Sequence, residues 1–237
     1  MTPDDLRVAG FLDARRALSF LEELPAGQDW VGDLSASADP DQALLQAVRL
    51  READPGLVDA LSRDGCARRR VCAILGGSQW LGDYVIADPG RAAAINEDPG
   101  SPRDVLFEAV GARALSSGAW VAARDATSDD LRAAYRRVLL HLAADDLTSG
   151  SPEEAMPSVG ARIADLVDAT MDAGLALARR DVDPEGTVPF AIIAMGKTGA
   201  RELNYISDVD VIYVAKAGAD GDERSALEKA TRLASAT

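Results

Sequence analysis

The sequence predicts an α+β protein, with an N-terminal all-helical module over residues 1–184 and the first strands of a second module over residues 185–237. Three observations carry this prediction. Up to about residue 180, apolar residues recur at helical spacing between Pro, Gly and Asp breaks. The stretch DVDPEG, residues 181–186, is rich in turn formers. Residues 190–195, FAIIAM, then form an unbroken apolar run with β-branched members, the pattern of a strand buried on both faces.

The elements follow in order. Thr2 suits an N-cap, Pro3 the first helical position, and Asp4 and Asp5 the positive end of the dipole. Leu6, Ala9, Leu12 with Phe11, Ala17, Phe20, Leu21 and Leu24 then predict one helical face that runs to the break at Pro25-Ala26-Gly27. A loop near residues 35–40 precedes a helix over 41–51, and Asp54-Pro55 starts another. Residues 66–75 continue helical to Gly76-Gly77, and a short apolar helix carries Trp80, Leu81, Tyr84 and Val85. Residues 91–103 read as loop. Helix resumes near Val105, again over 128–141, and again over 159–180. Residues 208–214 read as a second strand after the Gly196–Gly199 turn. Trp80 and Trp120 are expected in the core, Trp30 in a loop, and the lone His141 packed on its helix rather than catalytic.

Composition excludes several classes. The chain has 39 acidic against 25 basic residues and a net charge of −14, whereas nucleic-acid binding requires a basic surface. The run Arg68-Arg69-Arg70 reads as a solvated helix face. Cys66 and Cys72 match neither a redox pair nor a zinc site. The first residues lack a signal-peptide pattern, and no apolar stretch reaches the ~20 residues of a membrane span. The expectation is a cytoplasmic protein with no membrane contact. The last residues, DERSALEKATRLASAT, read as a helix without a terminator, so a piece of a longer chain is expected.

The chemistry concentrates between Gly196 and Asp210. On a strand, residues i and i+2 point the same way, so Asp208 and Asp210 project together. Two adjacent carboxylates repel, and either a raised pKa on one of them or a divalent cation relieves the repulsion. If a cation does so, Mg²⁺ suits the pair, since it takes oxygen ligands and is commonly held by one or two carboxylates plus substrate phosphates. The Gly196-Lys197 turn supplies backbone N–H groups and a compensating charge for a phosphate, and Ser207 a hydroxyl.

Met195-Gly196, a spacer of about a dozen residues, then Asp208-Val209-Asp210-Val211, resembles the signature of polymerase-β-like nucleotidyltransferases. The longer stretch MGKTGARELNYISDVDVIYV resembles the hallmark of the bifunctional glutamine synthetase adenylyltransferase family at Gly196, Lys197, Gly199, Arg201, Glu202, Leu203, Asn204, Ser207, Asp208 and Asp210. Ala194 and Ala200 stand where the family favours Gly. This is harmless unless either position needs positive φ. Residues 9–24, 75–90, 129–150 and 161–178 resemble the family's preceding segments.

The resemblance implies a truncated polymerase-β-like core beginning near residue 185. It implies Mg²⁺ on Asp208 and Asp210, the catalytic pair, with a third carboxylate on a later strand. Nucleotide and phosphate would be bound by Gly196, Lys197, Gly199 and Ser207, with Glu202 and Asn204 shaping the site. It implies the removing domain, which releases AMP from a tyrosine of glutamine synthetase by phosphorolysis to ADP, with ATP, ADP and phosphate as ligands. A small nitrogen-signalling regulatory protein is a further implied partner. The piece alone is expected to be nearly inactive. The alternatives are another Mg²⁺-dependent nucleotidyltransferase, acting on a protein or a small molecule, and a non-catalytic fragment.

Overall fold

Side-chain caps set most of the helix starts. In the computed structural model, which describes residues 1–217 and 223–237, α1 (Pro3–Val8) opens on a capping box. Thr2 Oγ1 accepts from the Asp5 N–H at 3.3 Å, and Asp5 Oδ2 accepts from the Thr2 N–H at 2.7 Å. Asp13 caps α2 (Ala14–Glu23), whereas α3 (Gly27–Ser35) follows a left-handed Ala26 with no side-chain cap. Asp39, Asp54, Asp64 and Ser78 cap α4 (Pro40–Ala53), α5 (Pro55–Arg63), α6 (Gly65–Gly77) and α7 (Gln79–Ala87) in turn. Each such cap contributes about 1 kcal/mol. A 3-10 turn, Pro89–Ala92, leads into α8 (Ala93–Asn96).

These helices, with residues 140–155, form one of two compact units, Met1–Asp98 with Leu140–Ala155. Its centre is α4, which packs against α2, α3, α5, α6 and α7 and buries Leu44, Ala47 and Leu50 completely. Gly82 lets α7 approach α4, because a Cβ there would overlap the amide of buried Gln46. Arg70 ties α6 to two segments: its guanidinium donates to the Ile95 carbonyl at 2.7 Å and pairs with Asp145 at 2.7 Å.

Several expectations fail here, each for a local reason. The single helix expected over the first 24 residues is two. Gly10 turns left-handed at φ 96°, and Asp41 accepts the Leu12 N–H at 2.7 Å, which leaves the Leu12 side chain in solvent. Trp30 lies in a helix, not a loop, and is fully buried, with its indole N–H donating to the Pro25 carbonyl at 3.1 Å. Trp80 is half exposed, stacked on Tyr84 at the helix surface. The arginine run is not a solvated face: Arg68 pairs with Asp33 at 2.6 Å and Arg70 with Asp145, leaving Arg69 exposed. His141 does pack, between Arg70 and Asp145. Both cysteines lie on α6, unbridged.

The second unit comprises Pro99–Leu139 and Met156–Thr237. After α9 (Pro102–Ala109), a short hairpin pairs β1 (Arg113–Ala114) with β2 (Trp120–Val121). The sequence reading missed this hairpin, and it leaves Trp120 at the surface, edge-on to Phe107, rather than in the core. Two longer helices, α10 (Ser128–Leu147) and α11 (Pro152–Val182), exceed their expected lengths. Then come β3 (Phe190–Ala194), α12 (Gly196–Ala200), β4 (Val211–Ala215) and α13 (Glu223–Ala236). The β3 and β4 strands are antiparallel, with Phe190 opposite Ala215 and Ala194 opposite Val211. α13 packs on β4 and buries Ala226, Ala230 and Leu233.

A buried ion pair holds the entry to β3. At the end of α11, Arg179 pairs with Asp183 at 2.8 Å, both side chains almost fully buried. Arg179 also donates to the Val188 carbonyl at 3.1 Å, while Asp183 accepts from the Thr187 hydroxyl at 2.7 Å and the Val188 N–H at 3.1 Å. Burial alone would raise the Asp183 carboxyl. The Thr187 and Val188 hydrogen bonds and the Arg179 charge overcome this and hold it below the usual carboxylate range.

The α+β expectation holds: among the described residues, the helices are joined by two two-stranded antiparallel sheets. The sequence division at residue 184 rests on composition, whereas the second unit draws residues from both sides of it. β3 is not buried on both faces, since Ile193 is 45% exposed. Among the described residues, β4 is the only strand beside it, and the outward face of the pair is uncovered. No helix among the described residues is long and apolar enough to cross a membrane.

Candidate active site

The site residues lie on one continuous segment of the second unit, from the end of β3 to the start of β4. Gly196 opens α12 with φ 52°, a left-handed conformation that glycine adopts without steric cost. The expected Gly196–Gly199 turn is thus a short helix. A Cβ on Gly196 would come within 2.9 Å of Asp210 Oδ2, so glycine here also leaves room for the carboxylate. The Met195 N–H donates to the Asp210 carbonyl at 2.8 Å, which continues the β3–β4 ladder by one step. The chain therefore brings Gly196 and Asp210 together across the strand ends.

Gly199 has a packing role. A Cβ there would fall 2.6 Å from the Ala194 carbonyl oxygen, so the missing side chain seats α12 directly on the end of β3. Lys197 is exposed, and its carbonyl accepts from the Glu202 N–H at 2.9 Å. Glu202 is exposed as well. Asn204 Oδ1 accepts from the Ile206 N–H at 3.2 Å, a local turn that shapes the approach to half-buried Ser207. Asp208 is exposed, and it precedes β4, which begins at Val211 and not at 208 as expected. Strand alternation therefore does not itself align Asp208 with Asp210. Neither Ala194 nor Ala200 has positive φ, so both replace the family's glycine without strain.

The donor set suits a hard cation. Asp208 and Asp210 offer carboxylate oxygens, both are exposed, and neither is consumed by a salt bridge among the described residues. Gly196 leaves a cradle beside the Asp210 carboxylate. Among the described residues no cluster of three or more His, Cys, Asp or Glu side chains forms a fuller cage.

One part of the neighbourhood escaped the sequence reading. Arg201, with φ 59°, binds Asp165 on α11 through two parallel bonds of 2.6 and 2.8 Å. The signal was present in the spacing of Asp165, Asp168 and Asp172, which places an acidic row along one helix face. Asp168 in that row is raised above the usual carboxylate range, by burial first and then by the charges of Asp165 and Asp172, with Arg201 acting against them.

A segment of this kind, set after a long helical stretch, has counterparts among known proteins. A family model described as Glutamate-ammonia ligase adenylyltransferase matches residues 68–236, which places the chain in the nucleotidyltransferase class. The chain belongs to the glutamate-ammonia ligase adenylyltransferase family. A relative from Cutibacterium acnes is 42% identical over 216 residues, covering 87% of this chain and 22% of the relative. One from Leifsonia xyli subsp. xyli is 37% identical over 249 residues, covering 95% and 24%. One from Streptomyces avermitilis is 39% identical over 238 residues, covering 95% and 23%. All three are named bifunctional glutamine synthetase adenylyltransferase/adenylyl-removing enzyme. The chain thus spans less than a quarter of the length of these relatives. No solved structure matches it.

Proposed function

We propose that this chain carries the beginning of the adenylyl-removing site of a glutamine synthetase-modifying enzyme, and so takes part in regulating nitrogen assimilation in the cytoplasm. The observation that carries the reading is the Asp210 carboxylate lying against the left-handed Gly196, within a segment covered by the family match. The choice of the removing reaction rests on the resemblance of residues 9–24 and 161–178 to the segments that precede the family's removing domain.

In this reading, inorganic phosphate attacks the phosphorus of adenylyl-tyrosine. A new P–O bond forms, the bond to the tyrosine oxygen breaks, and ADP and free tyrosine leave. Asp208 and Asp210 would hold Mg²⁺, which when bound offsets charge on the phosphate oxygens. Lys197, exposed on α12, adds a cation facing incoming phosphate, and the Gly196 backbone admits a phosphate oxygen without steric obstruction. Glu202, Asn204 and Ser207 set the loop between the two halves of the site. ATP and a small nitrogen-signalling regulatory protein are the further partners of the whole enzyme.

The test is an assay on adenylylated glutamine synthetase, using a polypeptide of the relatives' length that carries these residues. Release of ADP that depends on inorganic phosphate is the expected result. Nucleotide transfer to a different protein or to a small-molecule hydroxyl, with none from glutamine synthetase, would overturn the assignment.

A further inference from the structure

Arg201 matches the family's motif, yet the reading above gives it no task. Its backbone is left-handed, a region that non-glycine residues enter only under a local requirement. Its N–H donates to the Thr198 carbonyl at 3.1 Å, closing α12. The chain then passes across α11 at Gly160, where a Cβ would lie 3.4 Å from the Leu203 carbonyl and 3.5 Å from that of Arg201. Beside this crossing, the guanidinium grips Asp165 through both of its oxygens. Leu203, two residues on, is buried. The segment leading to Asp208 is therefore held to the long helix at the Gly160 crossing and at Asp165.

We infer that Arg201 and Asp165 are positioning residues, whose bidentate pair pins the loop between α12 and Asp208 so that the two site carboxylates stand correctly beside Gly196. This inference rests on the functional reading above. The pair is half exposed, at 50% and 47%, and an ion pair so placed contributes little to global stability. Its geometry is planar and doubly bonded, which makes it a strong constraint on direction. Position, rather than stability, is what its loss should disturb.

The experiment compares Asp165→Ala, Arg201→Ala and the reversed pair, Asp165→Arg with Arg201→Asp, in the polypeptide of the relatives' length. Asp is among the residues that best tolerate the left-handed region, so the reversed pair can close. Each single variant should lower kcat for phosphate-dependent ADP release by about ten- to a hundredfold, the scale of a small misplacement at the chemistry. The thermal midpoint should stay within about 2 °C of wild type. The reversed pair should recover at least about half of the loss on a logarithmic scale, because the two sites are directly coupled. Single variants within about twofold of wild type, with Asp208→Asn inactive in parallel, would overturn the positioning role while leaving the functional reading standing. A loss without recovery in the reversed pair, accompanied by a fall of several degrees in midpoint, would also overturn it. If Asp208→Asn itself stays active, the functional reading has failed, and the positioning role falls with it.

Discussion

Asp208→Asn and Asp210→Asn are each expected to lower phosphate-dependent release of ADP from adenylylated glutamine synthetase by about a hundred- to a thousandfold, the scale seen when one preorganised electrostatic group is removed. The amide keeps the size and loses the charge. A neutral side chain is a far poorer oxygen ligand for Mg²⁺ and leaves the phosphate charge unanswered. Both carboxylates are exposed, so neither substitution removes packing. Stability should therefore change by no more than about 0.5 kcal/mol, which separates loss of chemistry from loss of fold. Steady-state rates beside a urea titration of the same samples check both halves of the prediction.

Asp183→Ala is expected to destabilise the second unit by about 3–5 kcal/mol, because it leaves the Arg179 charge buried and unanswered. It also strands the Thr187 and Val188 N–H groups that the carboxylate accepts from. Replacing Arg179 and Asp183 together by apolar residues should recover much of the loss, since a well-packed apolar pair often matches a buried ion pair. The pH dependence has a definite sign. The folded carboxyl titrates below its ordinary value of 3.8, so its stabilisation is complete above that value. It is lost as pH falls through the lower, folded value. Wild-type stability should therefore drop steeply with acid below about pH 4, and Asp183→Ala should flatten that part of the curve. Urea midpoints measured from pH 2 to pH 7 would show it.

How much of this was legible depends on range. Caps and breaks are local, and Thr2 and Asp54 announced the helix starts they make. Gly10 did not announce its break, because the contact that exploits it comes from Asp41, nearly thirty residues on. Trp30 looked like a loop residue, since its burial depends on Ser62 and Arg68 from other helices. The β3 strand was legible as a strand but not as a half-exposed one, because exposure is set by what lies beside it. At the site, the Gly196-to-Asp210 approach followed from the motif. The Arg201–Asp165 grip did not, because it joins residues 36 positions apart. The spacing of Asp165, Asp168 and Asp172 carried half of that contact as an acidic row on one helix face, unread, and nothing local pointed to the other half.

The central claim is that Asp208 and Asp210 form a cation site beside the Gly196 bend. Mn²⁺ is a paramagnetic substitute for Mg²⁺ with the same preference for oxygen ligands. The most direct measurement titrates Mn²⁺ against the polypeptide in the presence of ADP and follows free ion by electron paramagnetic resonance. The account predicts uptake in the wild-type protein, weakened at least about tenfold in Asp208→Asn and in Asp210→Asn. Equal uptake by wild type and both variants would contradict it.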